Sequence, residues 1–228
     1  MNATDLLMNE LKGSFDFFSD FTNLKPGSPG YGLTVDSTKN PRIASIASAG
    51  FALSAWVIAD HRGYLSRADA LTITRGTLDT LLHRVDHHRG FFAHFVDMET
   101  GQRIKKCEYS TIDTALCLNG VITAAAYFDD PAVRELAARL LNRVDWAFLV
   151  FEADGHTLFR MAYNPDRGGD YVTGDPGFIH RWDMAAEQKM MYLQAASQLD
   201  PAVLRRLYAG FSRDTATFDG QPIIFNPG

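Results

Sequence analysis

The chain has 228 residues, 46% of them hydrophobic, and a net charge of −5 with a pI near 5.8. That is enough apolar matter for a sizeable core in one domain or two small ones. The acidic balance, with no basic block longer than Lys105-Lys106, speaks against nucleic acid or an anionic membrane as partner, and no apolar run reaches the ~18 residues of a membrane span.

The start, Met1-Asn2-Ala3-Thr4-Asp5, has neither the basic region nor the apolar stretch of a signal peptide, so the expected location is cytoplasmic. Cys107 and Cys117 are expected as reduced thiols.

In chain order, residues 4–20 carry Leu6, Leu7, Leu11, Phe15, Phe17 and Phe18, a one-sided pattern that predicts a helix. Residues 22–41, rich in Gly, Pro, Ser and Asn, read as an ordered loop. Residues 43–60 are small and apolar all round, as for a helix buried on every side. Ser66 with Asp69 makes a capping box opening an amphipathic helix to about Val85. A second small-residue helix is predicted over 111–128, and Pro131 opens a charged amphipathic helix to about Asp145. Residues 147–163 alternate around Asp154-Gly155, a hairpin signal. An Ala- and Met-rich helix is predicted over 183–198, and Asp200-Pro201 starts a short one to about Gly210.

Amphipathic and buried helices thus alternate. This predicts an all-α fold of the (α/α)6 toroid type, with about three of six helix pairs, a small β-hairpin near 147–163, and one incomplete barrel domain over 1–228. The last stretch, Phe218 to Gly228, is apolar and has no terminating helix. A half-ring leaves its inner faces open to water over more area than soluble monomers tolerate. A second chain or copy is therefore expected to complete it, unless the half-ring closes on itself.

The chemistry concentrates in two stretches. Glu108-Tyr109-Ser110-Thr111-Ile112-Asp113 sets carboxylates and hydroxyls at the mouth of a helix, just after the aromatic loop Gly90-Phe91-Phe92-Ala93-His94-Phe95-Val96-Asp97. Arg181-Trp182-Asp183, with Glu187, repeats the recipe. Acids that can cleave an acetal beside flat apolar faces suit a carbohydrate. Glu187 lies one turn past Asp183, so on a helix the two would share a face. Asp183 as N-cap and Glu187 as a solvated first-turn charge is the plainer alternative. Asp113 likewise reads either as the third residue of a capping box with Ser110 or as a cleft carboxylate.

His94 and Asp97 could bond sugar hydroxyls, and Phe91, Phe92, Tyr109 and Trp182 are candidate stacking faces. His83 and His87 are four apart, but no third ligand follows, so no metal is expected. Asp166-Arg167-Gly168-Gly169-Asp170 and Gly174-Asp175-Pro176-Gly177 only faintly resemble a calcium loop. No phosphate-binding or dinucleotide motif is present, and no cofactor is expected.

Taken together, Ser45-Ile46-Ala47-Ser48-Ala49-Gly50-Phe51, His61-Arg62-Gly63-Tyr64-Leu65-Ser66, Gly90-Phe91-Phe92-Ala93-His94-Phe95, the Glu108–Ala115 segment and Arg181-Trp182-Asp183 with Glu187 resemble successive motifs of the glucoamylase-like family. That family contains bacterial endo-β-1,2-glucanases and the glucoamylase-like domain of cyclic β-1,2-glucan synthases. The resemblance implies an (α/α)6 barrel of which this chain is the N-terminal half. It would bind and hydrolyse a β-glucan, plausibly β-1,2-linked, by carboxylate acid/base catalysis. Glu187 would be the acid, Asp113 or Glu108 would position water, and Arg181, Trp182, Asp183, Tyr109, Phe92, His94 and Asp97 would line the sugar cleft. A transglycosylase on the same glucans, or a non-catalytic half-barrel that binds sugar or a complementary chain, are the alternatives. Two departures stand out: Met184, Ala185 and Ala186 replace the usual Gly-Tyr-Ser, and Lys105-Lys106 lie where a Trp is common.

Overall fold

The computed structural model describes residues 2–166 and 177–225. The faint calcium-loop stretch falls largely on 167–176, outside them.

The chain opens with α1 (Ala3–Phe21), followed by β1 (Ile43–Ser45), α2 (Ile46–Arg62) and α3 (Arg67–His83). The aromatic loop then forms β2 (His87–His88), β3 (Phe91–Phe92) and β4 (Phe95–Asp97), and β5 (Tyr109–Ser110) leads into α4 (Thr111–Phe128). Next come α5 (Pro131–Arg143), a 3-10 turn (Trp146–Leu149), β6 (Val150–Ala153), β7 (His156–Tyr163) and β8 (Phe178–Arg181). The chain continues through α6 (Lys189–Ala195) and α7 (Pro201–Gly210) to β9 (Asp214–Phe218) and β10 (Gln221–Phe225).

Local chemistry starts the helices where the sequence says it should. Ser66 Oγ accepts from the Asp69 amide at 3.1 Å and donates to its carboxylate at 2.6 Å, closing off the exposed N–H groups of α3. Asp130 accepts from the Val133 amide at 3.0 Å ahead of Pro131, which fits the first turn because it lacks an N–H.

The helices make two rows. α2 and α4 pack most extensively, α6 lies against α4, and α3 and α5 cover the outside. The crossing of α2 and α4 depends on two glycines. A Cβ on Gly50 would overlap the Cys117 backbone, and one on Gly120 would overlap the Gly50 carbonyl. Around that crossing Ala49, Ala52, Leu53, Trp56, Ala115, Leu118, Val121 and Ala124 are all fully buried. Among the described residues α4 alone has the length and hydropathy of a membrane span, yet half of it is buried inside the protein.

The all-α expectation needs correcting: ten strands in small antiparallel sheets occur among the described residues. β1 pairs with β4, and β7 pairs with β5, β6 and β8. The predicted hairpin is β6–β7, turning at Asp154 (φ 53°) and Gly155 (φ 78°), two left-handed residues of the kind tight hairpins require. Its expected first residues instead form the 3-10 turn. A second hairpin, β9–β10, was not expected, and every residue of its strands is exposed.

The helix predicted over 183–198 is the largest discrepancy. Only Lys189–Ala195 is helical. Ahead of it the chain is held by tertiary bonds: Met184 bridges to Ser212, Trp182 N–H donates to the Phe159 carbonyl at 2.8 Å, and the Gln188 side chain bonds Ala186 N and Met184 O at 3.0 and 2.6 Å. Ala and Met favour helix only by tenths of a kcal/mol each, less than such a network supplies.

Candidate functional site

The ordered loops precede the inner helices, and their ends meet at the N-termini of α2 and α4. The His94 carbonyl accepts from the first amide of α2, Ile46 N, at 3.2 Å. His94 N–H in turn donates to the Glu108 carbonyl at 2.9 Å. Three residues beyond Ser110, the N-cap of α4, Asp113 is fixed by the Ser110 hydroxyl at 2.5 Å. A third distant segment arrives with Trp182, whose indole N–H donates to Thr111 Oγ1 at 3.1 Å. The Thr111 hydroxyl in turn donates to the Met161 carbonyl at 2.6 Å. Segments distant in sequence therefore converge on one helix end.

At the centre of this convergence the His94 ring lies between two carboxylates. Its Nδ1 is 2.7 Å from Glu108 Oε1 and its Nε2 is 3.6 Å from Asp113 Oδ1. Burial alone would lower the His94 pKa, but the Glu108 hydrogen bond and the charges of Asp113, Glu108 and Asp36 together raise it. Burial would raise Glu108, yet the bond from His94, a backbone bond and the charges of His94 and Arg103 hold it below the usual carboxylate range. Each partner thus favours the charged form of the other. Phe95 stacks on the ring with centroids 3.8 Å apart.

Behind Glu108, Arg103 acts as a clamp. Its guanidinium reaches Cys107 O at 2.5 Å, Asp166 at 2.6 Å and Asn164 Oδ1 at 2.7 Å, and lies 4.8 Å over the Tyr109 ring. Tyr109 also lies beside His88, half-buried in an aromatic cluster with Phe148 and Tyr163.

Several candidates are placed otherwise than the sequence suggested. Trp182 is 7% exposed and Phe92 1%, as is Phe91; these rings fill the core and present no face to a ligand in this chain. Asp97 is occupied by its own turn, where Oδ1 accepts from the Glu99 and Thr100 amides and the Thr100 hydroxyl, each at 3.0 Å. Arg181 spans Asp154 and Asp183, at 2.8 and 2.7 Å, and so braces the β6–β7 turn. Glu187 is exposed in a turn ahead of α6; since no helix joins it to Asp183, the shared-face argument falls. His83 ends α3 while His87 lies in β2, so they do not share a helical face either.

Asp36 was missed. It sits in the Gly-, Pro- and Ser-rich loop, where nothing in its neighbours marks it, and only the fold brings its charge to His94.

No family model matches the sequence, and no curated protein matches it either. Solved structures do. A protein from Bacteroides uniformis ATCC 8492 with a provisional glucoamylase assignment superposes at a TM-score of 0.80 with 20% identity, over 100% of this chain and 56% of that one. An endo-β-1,2-glucanase from Chitinophaga pinensis, solved with sophorotriose and glucose, gives 0.76 and 18%, over 99% and 56%. A β-1,2-glucanase from Parabacteroides distasonis gives 0.74 and 19%, over 92% and 30%. The chain spans about half the length of the first of these, or less. Over that span it has the fold of these glucoamylase-like and β-1,2-glucanase structures.

Proposed function

We propose that the chain is the half of an (α/α)6 toroid that carries a glucan-binding and hydrolytic site, with three of the six helix pairs and a β-glucan, plausibly β-1,2-linked, as substrate. One observation carries the reading: His94 held between Glu108 and Asp113 at the end of α4, where three distant segments meet. Hydrolysis of a glycosidic bond needs one carboxyl to protonate the leaving oxygen and one carboxylate to activate water or steady the developing positive charge. Glu108, kept ionised by His94, suits the second role and not the first. Asp113, on the other side of the ring, orients water or a sugar hydroxyl. Glu187 is the acid: it is exposed, and the Trp182–Thr111 bond holds its segment beside the start of α4. Arg181, Asp183 and Tyr109 then border the cleft. The likeness in fold to two β-1,2-glucanases supports the substrate class.

The test is release of reducing ends from linear β-1,2-glucan, with Glu108→Gln, Asp113→Asn and Glu187→Gln alongside the parent chain. Loss of turnover in all three, with each variant still folded by circular dichroism, supports the assignment. Turnover unaffected by Glu108→Gln would overturn it, and products longer than the substrate would mean transglycosylation.

A second reading rests on a separate observation. Phe51 is 54% exposed and Leu193 80% exposed on the inner helices, with Ile58 and Ile122 also open to water. A second chain or copy covering them would make this a half-barrel subunit, catalytic only in the assembly. Mass in solution decides: a stable 25.3 kDa monomer with turnover counts against it.

A further inference from the structure

The loop between α1 and β1 and the turn after β4 enclose a cavity of about 450 Å³, within the roughly 300–1,000 Å³ of small-molecule sites. It lies away from the proposed chemistry. The β1–β4 ribbon carries Ser45 and Phe95, next to His94, at one end and Ile43 and Asp97 at the other. The cavity opens off that second end, beside Arg42 and Met98, and His94, Glu108 and Asp113 take no part in its walls. We propose that it is a second binding site, independent of the glucan reading, for a small zwitterion of the amino-acid type with an apolar body.

The charges on its walls select such a ligand. Lys25 and Arg42 bring two cations and Glu99 a carboxylate, yet none of the three side chains makes a hydrogen bond or ion pair among the described residues. Asp97, the other acid of the wall, is committed to its own turn. A ligand carboxylate would meet Lys25 and the two-pronged guanidinium of Arg42, and a ligand ammonium would meet Glu99. A plain anion is repelled by Glu99 and a plain cation by Lys25 and Arg42; a molecule bearing both signs satisfies the whole set. Pro26, Pro29, Pro41 and Met98 supply apolar wall for the body between its ends.

These charges differ from ordinary solvated ones in being mounted on a stiff frame. The Asn23 side-chain amide donates to Ser28 Oγ and to the Met98 carbonyl, both at 2.8 Å, while its Oδ1 accepts from the Lys25 amide at 3.2 Å. Gly30 N–H donates to the Glu99 carbonyl at 2.8 Å, and Met98 N–H to the Arg42 carbonyl at 3.0 Å. Loop and turn touch backbone to backbone, since a Cβ on Gly30 would overlap the Met98 carbonyl. Three prolines with fixed φ stand in the same walls. The backbone that carries Lys25, Arg42 and Glu99 is therefore set before a ligand arrives, which lowers the ordering cost of binding.

The experiment is an amide NMR titration of the 228-residue chain with L-leucine and with two cut-down probes: isocaproate, which lacks the ammonium, and isoamylamine, which lacks the carboxylate. Expected with leucine are saturable shifts at Lys25, Gly27, Arg42 and Glu99. Either cut-down probe should bind at least about fivefold more weakly, as should leucine on Arg42→Gln and on Glu99→Gln, roughly the loss of one hydrogen bond. Both variants should melt like the parent, because neither side chain has a partner in the fold to lose. Isocaproate binding as tightly as leucine would mean a plain anion site and overturn the proposal. So would shifts centred on His94, or no saturable shift with leucine up to its solubility. The probe comparison on the parent chain decides the matter even should a variant fold poorly. Reducing-end release from glucan is a separate measurement, so failure here leaves the proposed function standing.

Discussion

His94 Nδ1 and Glu108 Oε1 stand 2.7 Å apart, and each shifts the other's proton affinity in the direction that favours the ion pair. Glu108 raises His94 above its ordinary value of 6.5, and His94 lowers Glu108 below its ordinary 4.5. Stability follows by linkage. The His94 contribution is complete below pH 6.5 and is lost as pH rises through its raised folded value. The Glu108 contribution is complete above pH 4.5 and is lost as pH falls through its depressed one. Melting temperature should therefore be highest between about pH 4.5 and 6.5 for this pair's contribution. His94→Gln should flatten the alkaline limb, as scanning fluorimetry across pH would show. An unaltered pH profile in that variant would mean that the ring is neutral and the bond ordinary.

Arg143 is a largely buried cation that lies over Phe92. Burial pushes its pKa down to about 10, and it makes no ion pair with a carboxylate among the described residues. Its guanidinium bonds the Leu82 and Leu81 carbonyls at 3.0 and 3.3 Å and lies over Phe92 at 4.9 Å, closing the C-terminal end of α3. Arg143→Met keeps the length and strands two carbonyls. We expect a loss of about 1–3 kcal/mol in urea unfolding.

At the crossing of α2 and α4 the tolerance is smaller still. Gly120→Ala places a methyl against the Gly50 carbonyl, and two packed backbones cannot part without opening the core around Trp56 and Leu118. Overpacking of this kind typically costs about 1–3 kcal/mol, sometimes more. Unfolding measurements should show that loss although alanine favours the helix more than glycine does.

Trp182 separates a structural from a ligand-facing role. Buried and bonded to Thr111, it should behave as a core residue: Trp182→Ala loses about 3–5 kcal/mol, while Trp182→Phe loses mainly the indole bond. A Trp182→Phe chain that melts normally and fails to bind glucan would instead make the ring a sugar face.

How far the sequence was legible depended on whether the deciding forces were local. α1 to α5 and α7 were readable because capping residues and apolar spacing lie within a few positions of one another. Asp113 showed both of its possible roles from sequence, and the structure has it bonded to Ser110 and facing His94 at once. The early start assigned to α6 failed because Trp182, Met184 and Gln188 are held by partners that no window of sequence contains. Trp182 and Phe92 read as sugar-stacking rings because an aromatic looks alike in a core and in a cleft; only burial tells them apart. The β9–β10 hairpin carried a usable signal in Asp219-Gly220, whose left-handed angles of 46° and 73° match those of Asp154-Gly155, but its apolar flanks drew attention away from the turn.

That hairpin has a further consequence. Along it Ala216 faces Ile223 and Asp214 faces Phe225, which gathers apolar groups on one side of a ribbon fully bathed in solvent. Apart from Thr215 N–H, which donates to Asp214 Oδ1 at 2.8 Å, the outward-pointing amides on both rims face solvent, so they should exchange for deuterium far faster than those of α2 or α4. Any polypeptide that comes to cover the ribbon would reveal itself by slowing that exchange, before a complex is ever isolated.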